Sequence, residues 1–62
     1  MDYHIDKIDY RDIYGNLLWS EDMVFRRLYA VGQDFVSDSK RYVVKRVAVA
    51  DNVQIVNCAP AE

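Results

Sequence analysis

Sixty-two residues, 52% of them hydrophobic and 29% charged, make one domain with no room for a second core. With 8 basic residues against 10 acidic ones, the net charge of -2 excludes the broad basic footprint of a general phosphate binder. One cysteine excludes an internal disulfide, and one histidine beside it falls short of the usual zinc ligand sets, so no metal or other cofactor is expected.

The first predicted strand covers residues 3–13. Tyr3 and Ile5 share one parity, whereas Ile8 and Tyr10 share the other, which predicts a bulge or bend near Asp6-Lys7. Gly15-Asn16, between apolar flanks, is a hairpin signal. The next segment reads two ways. Ser20 as cap, Glu21 and Asp22 in a first turn, Arg26 and Arg27 later and Gly32 as terminator describe a short helix around residues 21–31. As a strand, Leu17, Trp19, Met23, Phe25 and Tyr29 share one parity, interrupted by Glu21 and Arg27. The long, bent strand is preferred, because β-formers dominate on both sides and a hairpin turn leads in.

After Gly32, "QDFVSDSK" predicts a short strand and a polar turn at Ser37-Asp38-Ser39. "KRYVVKRVAVA", from Lys40 to Ala50, is the strongest strand of the chain. In strict alternation Lys40 and Arg46 share one face, and Arg41 and Lys45 the other. Tyr42 and Val44, however, hold one parity and Val47 and Val49 the opposite one. That shift predicts a bulge at Lys45-Arg46, which brings Arg41 and Arg46 to one face. Asp51-Asn52 suits a two-residue turn with positive φ, "VQIVNC" returns as a strand, and Pro60 ends it. The expected fold is all-β: one SH3-like antiparallel barrel of about five strands over residues 1–62, or an α+β variant if the helix forms.

The run Val31-Gly32, Phe35-Val36, Arg41-Tyr42-Val43-Val44 and Arg46-Val47 resembles a design of small bacterial β-barrels, in which a V-G-x-x-F/V strand leads through a polar turn into a Y-x-V-x-x-V strand. It resembles uncharacterised short proteins of mobile elements and gene cassettes. The resemblance implies a fold and carries no active site. Val53-Gln54-Ile55 is also similar to the V-Q-I-Y segment at the active pore of the small barrel dihydrofolate reductases carried on plasmids. Here Val56 stands in place of the tyrosine, and nothing else in the chain aligns.

A chain this short buries only about 60% of the surface its unfolded form exposes, so self-association is the expected supplement to its stability. The lone thiol, a start without a basic lead-in or apolar run, and no stretch near the roughly 20 apolar residues of a span predict a soluble, cytoplasmic protein with no membrane partner. Charge is unevenly placed. Asp2, Asp6, Asp9, Asp12, Glu21 and Asp22 dominate the front; Arg26, Arg27, Lys40, Arg41, Lys45 and Arg46 dominate the middle. Such asymmetry suits two different partners, or complementary patches between copies.

Catalytic constellations are not assembled by this sequence. His4, between Asp2 and Asp6, reads as an exposed histidine on the first strand, with no nucleophile placed beside it. Asp9 and Asp12 differ in parity, as do Glu21 and Asp22, so these acids read as surface charge and not as an acid–base pair. Cys58 reads as a small, partly buried side chain. The chain therefore reads as noncatalytic. Five tyrosines, two phenylalanines and one tryptophan leave some rings near the surface, where tyrosine and arginine favour interfaces. The candidate interaction surface is Tyr29, Arg41, Tyr42, Lys45 and Arg46. Its expected partner is a second copy or another protein; the alternative is single-stranded nucleic acid, with bases on the rings and phosphates on the cations.

Overall fold

The computed structural model of the chain describes residues 5–22 and 28–61. Five strands follow one another: β1 (Lys7–Arg11), β2 (Leu17–Asp22), β3 (Asp34–Ser37), β4 (Lys40–Ala50) and β5 (Val53–Pro60). They form one sheet in the order β2-β1-β5-β4-β3. The fold is all-β, and the sheet curls into a half-barrel. No described residue is helical.

Two tight turns set the register of the second half. Asp38 and Ser39 have φ of 53° and 65°, and Asp51 and Asn52 have φ of 50° and 63°. Consecutive positive φ values give the turn whose twist matches a hairpin, and short polar side chains tolerate it best. β4 thus leaves one two-residue turn and enters the other, pairing antiparallel with β3 on one side and β5 on the other. Opposite Cys58 and Asn57, the β4 ladder steps from Val44 to Arg46 and leaves Lys45 as the extra residue of a bulge. Tyr42, Val44, Val47 and Val49 consequently share the concave face, and Arg41, Val43 and Arg46 share the convex one. The parity shift in the sequence marked this bulge.

β1 and β2 form the hairpin that Gly15-Asn16 signals, joined by a loop longer than two residues. Gly15 has φ of 90°, but the loop is organised by Asp12. Its Oδ1 accepts the Tyr14 and Asn16 backbone N–H groups, both at 2.9 Å, and its Oδ2 accepts Asn16 Nδ2–H at 3.1 Å. An aspartate that satisfies local backbone donors holds a longer loop than glycine alone would specify.

One pair departs from the antiparallel pattern: β1 lies parallel to β5, from Lys7 opposite Val53 to Arg11 opposite Asn57. β1 begins at Lys7, and Ile5 and Ile8 are both buried although their parities differ, so the bend expected near Asp6-Lys7 is there. Asp6 N–H donates to the Asn52 carbonyl at 2.8 Å and ties this bend to the β4–β5 turn.

Of the ambiguous segment, Glu21 and Asp22 are the last residues of β2, and Leu28 to Ala30 have no regular secondary structure. The helix of 21–31 and the long strand therefore both fail at residues 28–30, while 23–27 lie outside the described residues. What holds Tyr29 in place is side-chain chemistry, because its N–H donates to Gln54 Oε1 at 2.8 Å. Gly32, with φ of 90°, then turns the chain so that its N–H meets the Val44 carbonyl at 2.8 Å.

The core lies on the concave face. Ile8, Tyr10, Val44, Val56 and Cys58 form its buried cluster, with Trp19, Tyr29, Phe35, Tyr42 and Val47 packed against it. Full burial of one valine contributes about 1.5–3 kcal/mol. Tyr10 on β1 meets Phe35 on β3 with ring centroids 5.4 Å apart, and Trp19 on β2 meets Tyr42 on β4 at 5.4 Å. Rings thus bridge the space between the edge strands, with no ladder joining β2 to β3.

Candidate interaction surfaces

Two surfaces carry the chemistry that the sequence offers. The first is the aromatic basin inside the curl. Tyr10 stacks on Trp19 at 4.5 Å, and Phe35 stacks on Tyr42 at 5.5 Å. The Tyr10 and Tyr29 hydroxyls share a hydrogen bond of 2.7 Å. Burial, and then the bond to Tyr29, pushes the Tyr10 phenol far above the ordinary tyrosine range. At the mouth, Trp19, Glu21, Ser37, Asp38, Lys40 and Tyr42 line a cleft of about 320 Å³. The Trp19 indole N–H donates to Glu21 Oε1 at 3.3 Å.

The second surface is at one end of the convex face. The ladders place Arg11, Asn57 and Arg46 side by side across β1, β5 and β4. The bulge residue Lys45 joins them, and the β1–β2 loop folds over the row. Ile13, Tyr14, Gly15, Lys45, Arg46 and Asn57 line a depression of about 290 Å³. Arg11 Nη1 donates to the Gly15 carbonyl at 2.7 Å, and Asn57 Nδ2 donates to the Asp12 carbonyl at 2.9 Å. These bonds fix the loop to the sheet. The amide donors of its own loop hold the Asp12 carboxyl below the usual carboxylate range, Asn16 first among them.

The five residues singled out in the sequence divide between these surfaces. Tyr29 and Tyr42 are half-buried in the basin, and the Tyr29 hydroxyl is already bonded. Arg41, Lys45 and Arg46 are exposed, with Arg41 and Arg46 on the convex face. Four ladder steps separate Arg41 from Arg46, roughly 13 Å at ~3.3 Å per step, so they do not serve one small ligand. His4, Arg26 and Arg27 lie outside the described residues.

The remaining candidates have structural partners. Asp9, half-buried, accepts Ser20 Oγ–H at 2.8 Å and lies 3.9 Å from Lys7 and 3.8 Å from Arg11. Cys58 is buried, and burial pushes its thiol up, with Asp12 adding to the shift. Gln54 has no solvent exposure, so the V-Q-I run does not present its amide to a pore of this chain. Among the described residues no group of three or more His, Cys, Asp or Glu side chains gathers for a metal ion, and no helix is long and apolar enough to cross a membrane.

Sequence reasoning missed Tyr14, which is 84% exposed. The signal was there: an aromatic inside a glycine-bearing hairpin loop has no core to fill. Comparison of the chain with protein-family models, with curated proteins and with solved structures finds no match.

Proposed function

We propose that this chain is a noncatalytic interaction module that self-associates through the open edge of β3. The observation that carries this reading is the backbone at Val36, which no strand among the described residues pairs on its outer side. Ser37 and Lys40 flank the two-residue turn, so they exchange hydrogen bonds across the hairpin and pairing alternates from there. Val36 is consequently a residue whose N–H and C=O point away from β4, toward the edge. The residue is 66% exposed. β2, the opposite edge, carries Glu21 and Asp22, charges of the kind that discourage strand pairing. β3 carries a single carboxylate, Asp34, against two on β2, and is the less charged edge. A second copy is the economical occupant, since two β3 edges pair about a twofold axis and close the assembly. The strand is short, so the association is weak and concentration-dependent.

Sedimentation equilibrium over micromolar to millimolar concentrations tests the proposal. A dimer that Val36→Pro converts to monomer is expected, because proline removes the edge donor without taking a hydrogen bond from the β3–β4 ladder. A strict monomer across that range, or a dimer indifferent to Val36→Pro, rejects it.

A further inference from the structure

We infer that the depression between the β1–β2 loop and the β4 bulge is a binding site for one nucleotide of a single strand, its phosphate on Lys45 and Arg46 and its base on the Tyr14 ring. Three independent features meet there. The bulge releases Lys45 from the ladder and sets it next to Arg46, and bulges concentrate where a side chain must be re-aimed. Among the described residues neither cation enters an ion pair or hydrogen bond. Tyr14, which lines the same depression, is 84% exposed and outside the buried core cluster. An aromatic face and neighbouring cations in one depression are what proteins use to hold single-stranded nucleic acid without sequence preference.

The local charge favours an anion although the chain as a whole is acidic. Arg11, Lys45 and Arg46 lie in one row, and Asp12 is the carboxylate of the loop. Both Asp12 oxygens face N–H donors of Tyr14 and Asn16, so they bind the loop and do not cap the cations. Asp9 neutralises Arg11 from the far side, at 3.8 Å. That leaves Lys45 and Arg46 as the available pair. Asn57, whose Nδ2 is committed to the Asp12 carbonyl, lines the floor and offers its carbonyl oxygen to a base or sugar donor. A volume of about 290 Å³ accommodates a small ligand and not a duplex. With a net charge of -2, long-range steering is absent, and binding depends on these contacts alone.

Fluorescence anisotropy of a labelled short oligothymidylate, at low salt and with the full chain, tests the assignment. Binding is expected to weaken about tenfold in Tyr14→Ala. In the double variant Lys45→Gln with Arg46→Gln it is lost. Log affinity falls with log salt at a slope of about -0.7 for the single phosphate engaged. All three residues are exposed, and circular dichroism checks that each variant folds. Lys45→Arg keeps the charge and is expected to keep the affinity. Absence of oligothymidylate binding, or binding that the double variant leaves unchanged, overturns the inference. Inorganic phosphate competing as well as the oligonucleotide, with Tyr14→Ala silent, equally overturns it.

Discussion

Gln54 and Tyr29, 25 residues apart in the chain, are joined by a 2.8 Å hydrogen bond from the Tyr29 backbone N–H to the Gln54 carboxamide oxygen. Gln54 sits at the centre of the sheet with no solvent exposure, on the same face as Val56 and Cys58. A glutamine buried that completely is costly unless its polar atoms are matched, and no buried side-chain N or O among the described residues lacks a partner. The bond therefore pins an irregular segment to the core. Gln54→Leu keeps the volume but removes the acceptor for the Tyr29 N–H. It is expected to cost about 1–3 kcal/mol in urea unfolding. An unchanged midpoint would show that Tyr29 is held by its ring alone.

The phenol pair extends the same anchor. Removal of one hydroxyl in Tyr10→Phe or Tyr29→Phe is expected to cost about 1 kcal/mol, and the double-mutant cycle to return a coupling of similar size. The Tyr10 phenol is raised above its ordinary value of 10.0, so above that pH the folded state holds a proton that the unfolded state has released. Stability from Tyr10 is full below pH 10 and declines as pH rises beyond it. Thermal unfolding between about pH 9 and 11 should show a shallower alkaline decline in Tyr10→Phe than in the parent.

Asp12 produces the opposite limb. Its carboxyl is lowered from 3.8 by the loop amides, so its contribution is present above that pH and fades as pH falls below it. Asp12→Ala is expected to flatten the acid limb of stability and to loosen the loop that carries Tyr14. Amide exchange at Tyr14 and Asn16 reports the second effect, and unchanged protection there would exclude it.

Much of this fold is written locally. Asp51-Asn52 was legible because few residue pairs accept two positive φ values in succession, and the turn at Ser37-Asp38-Ser39 was legible as a polar break between two strands. The bulge at Lys45 was legible because one extra residue inverts every later side chain, and Val47 and Val49 record the inversion. The parallel pairing of β1 with β5 was not, since it joins the two ends of the chain and no local pattern encodes a partner so distant. The hairpin at Gly15-Asn16 was legible, but the geometry of its loop was not, because Asp12, outside the pair, governs it. Tyr14 was legible in principle, as an aromatic inside a glycine-bearing hairpin loop, but was not set apart from the core aromatics. Tyr29, taken for a surface residue, is drawn inward by Gln54, which no periodicity announces.

Ser39 offers a gain of stability. A residue with a Cβ at φ of 65° works against its own backbone, and serine tolerates that region less well than asparagine or glycine. Ser39→Gly is expected to raise stability by up to about 1 kcal/mol, read from the urea midpoint. A lower midpoint would mean that the flexibility added to the unfolded chain outweighs the relief.

Lys45 is the one position of β4 that owns no rung of the ladder, for Val44 and Arg46 face consecutive residues of β5. Excision of Lys45 would leave every other residue opposite its present neighbour and every valine on its present face. The sheet is therefore complete without it. The architecture tolerates this supernumerary lysine but does not require it. Its deletion separates what the strand needs in order to fold from what its outer surface presents to the world.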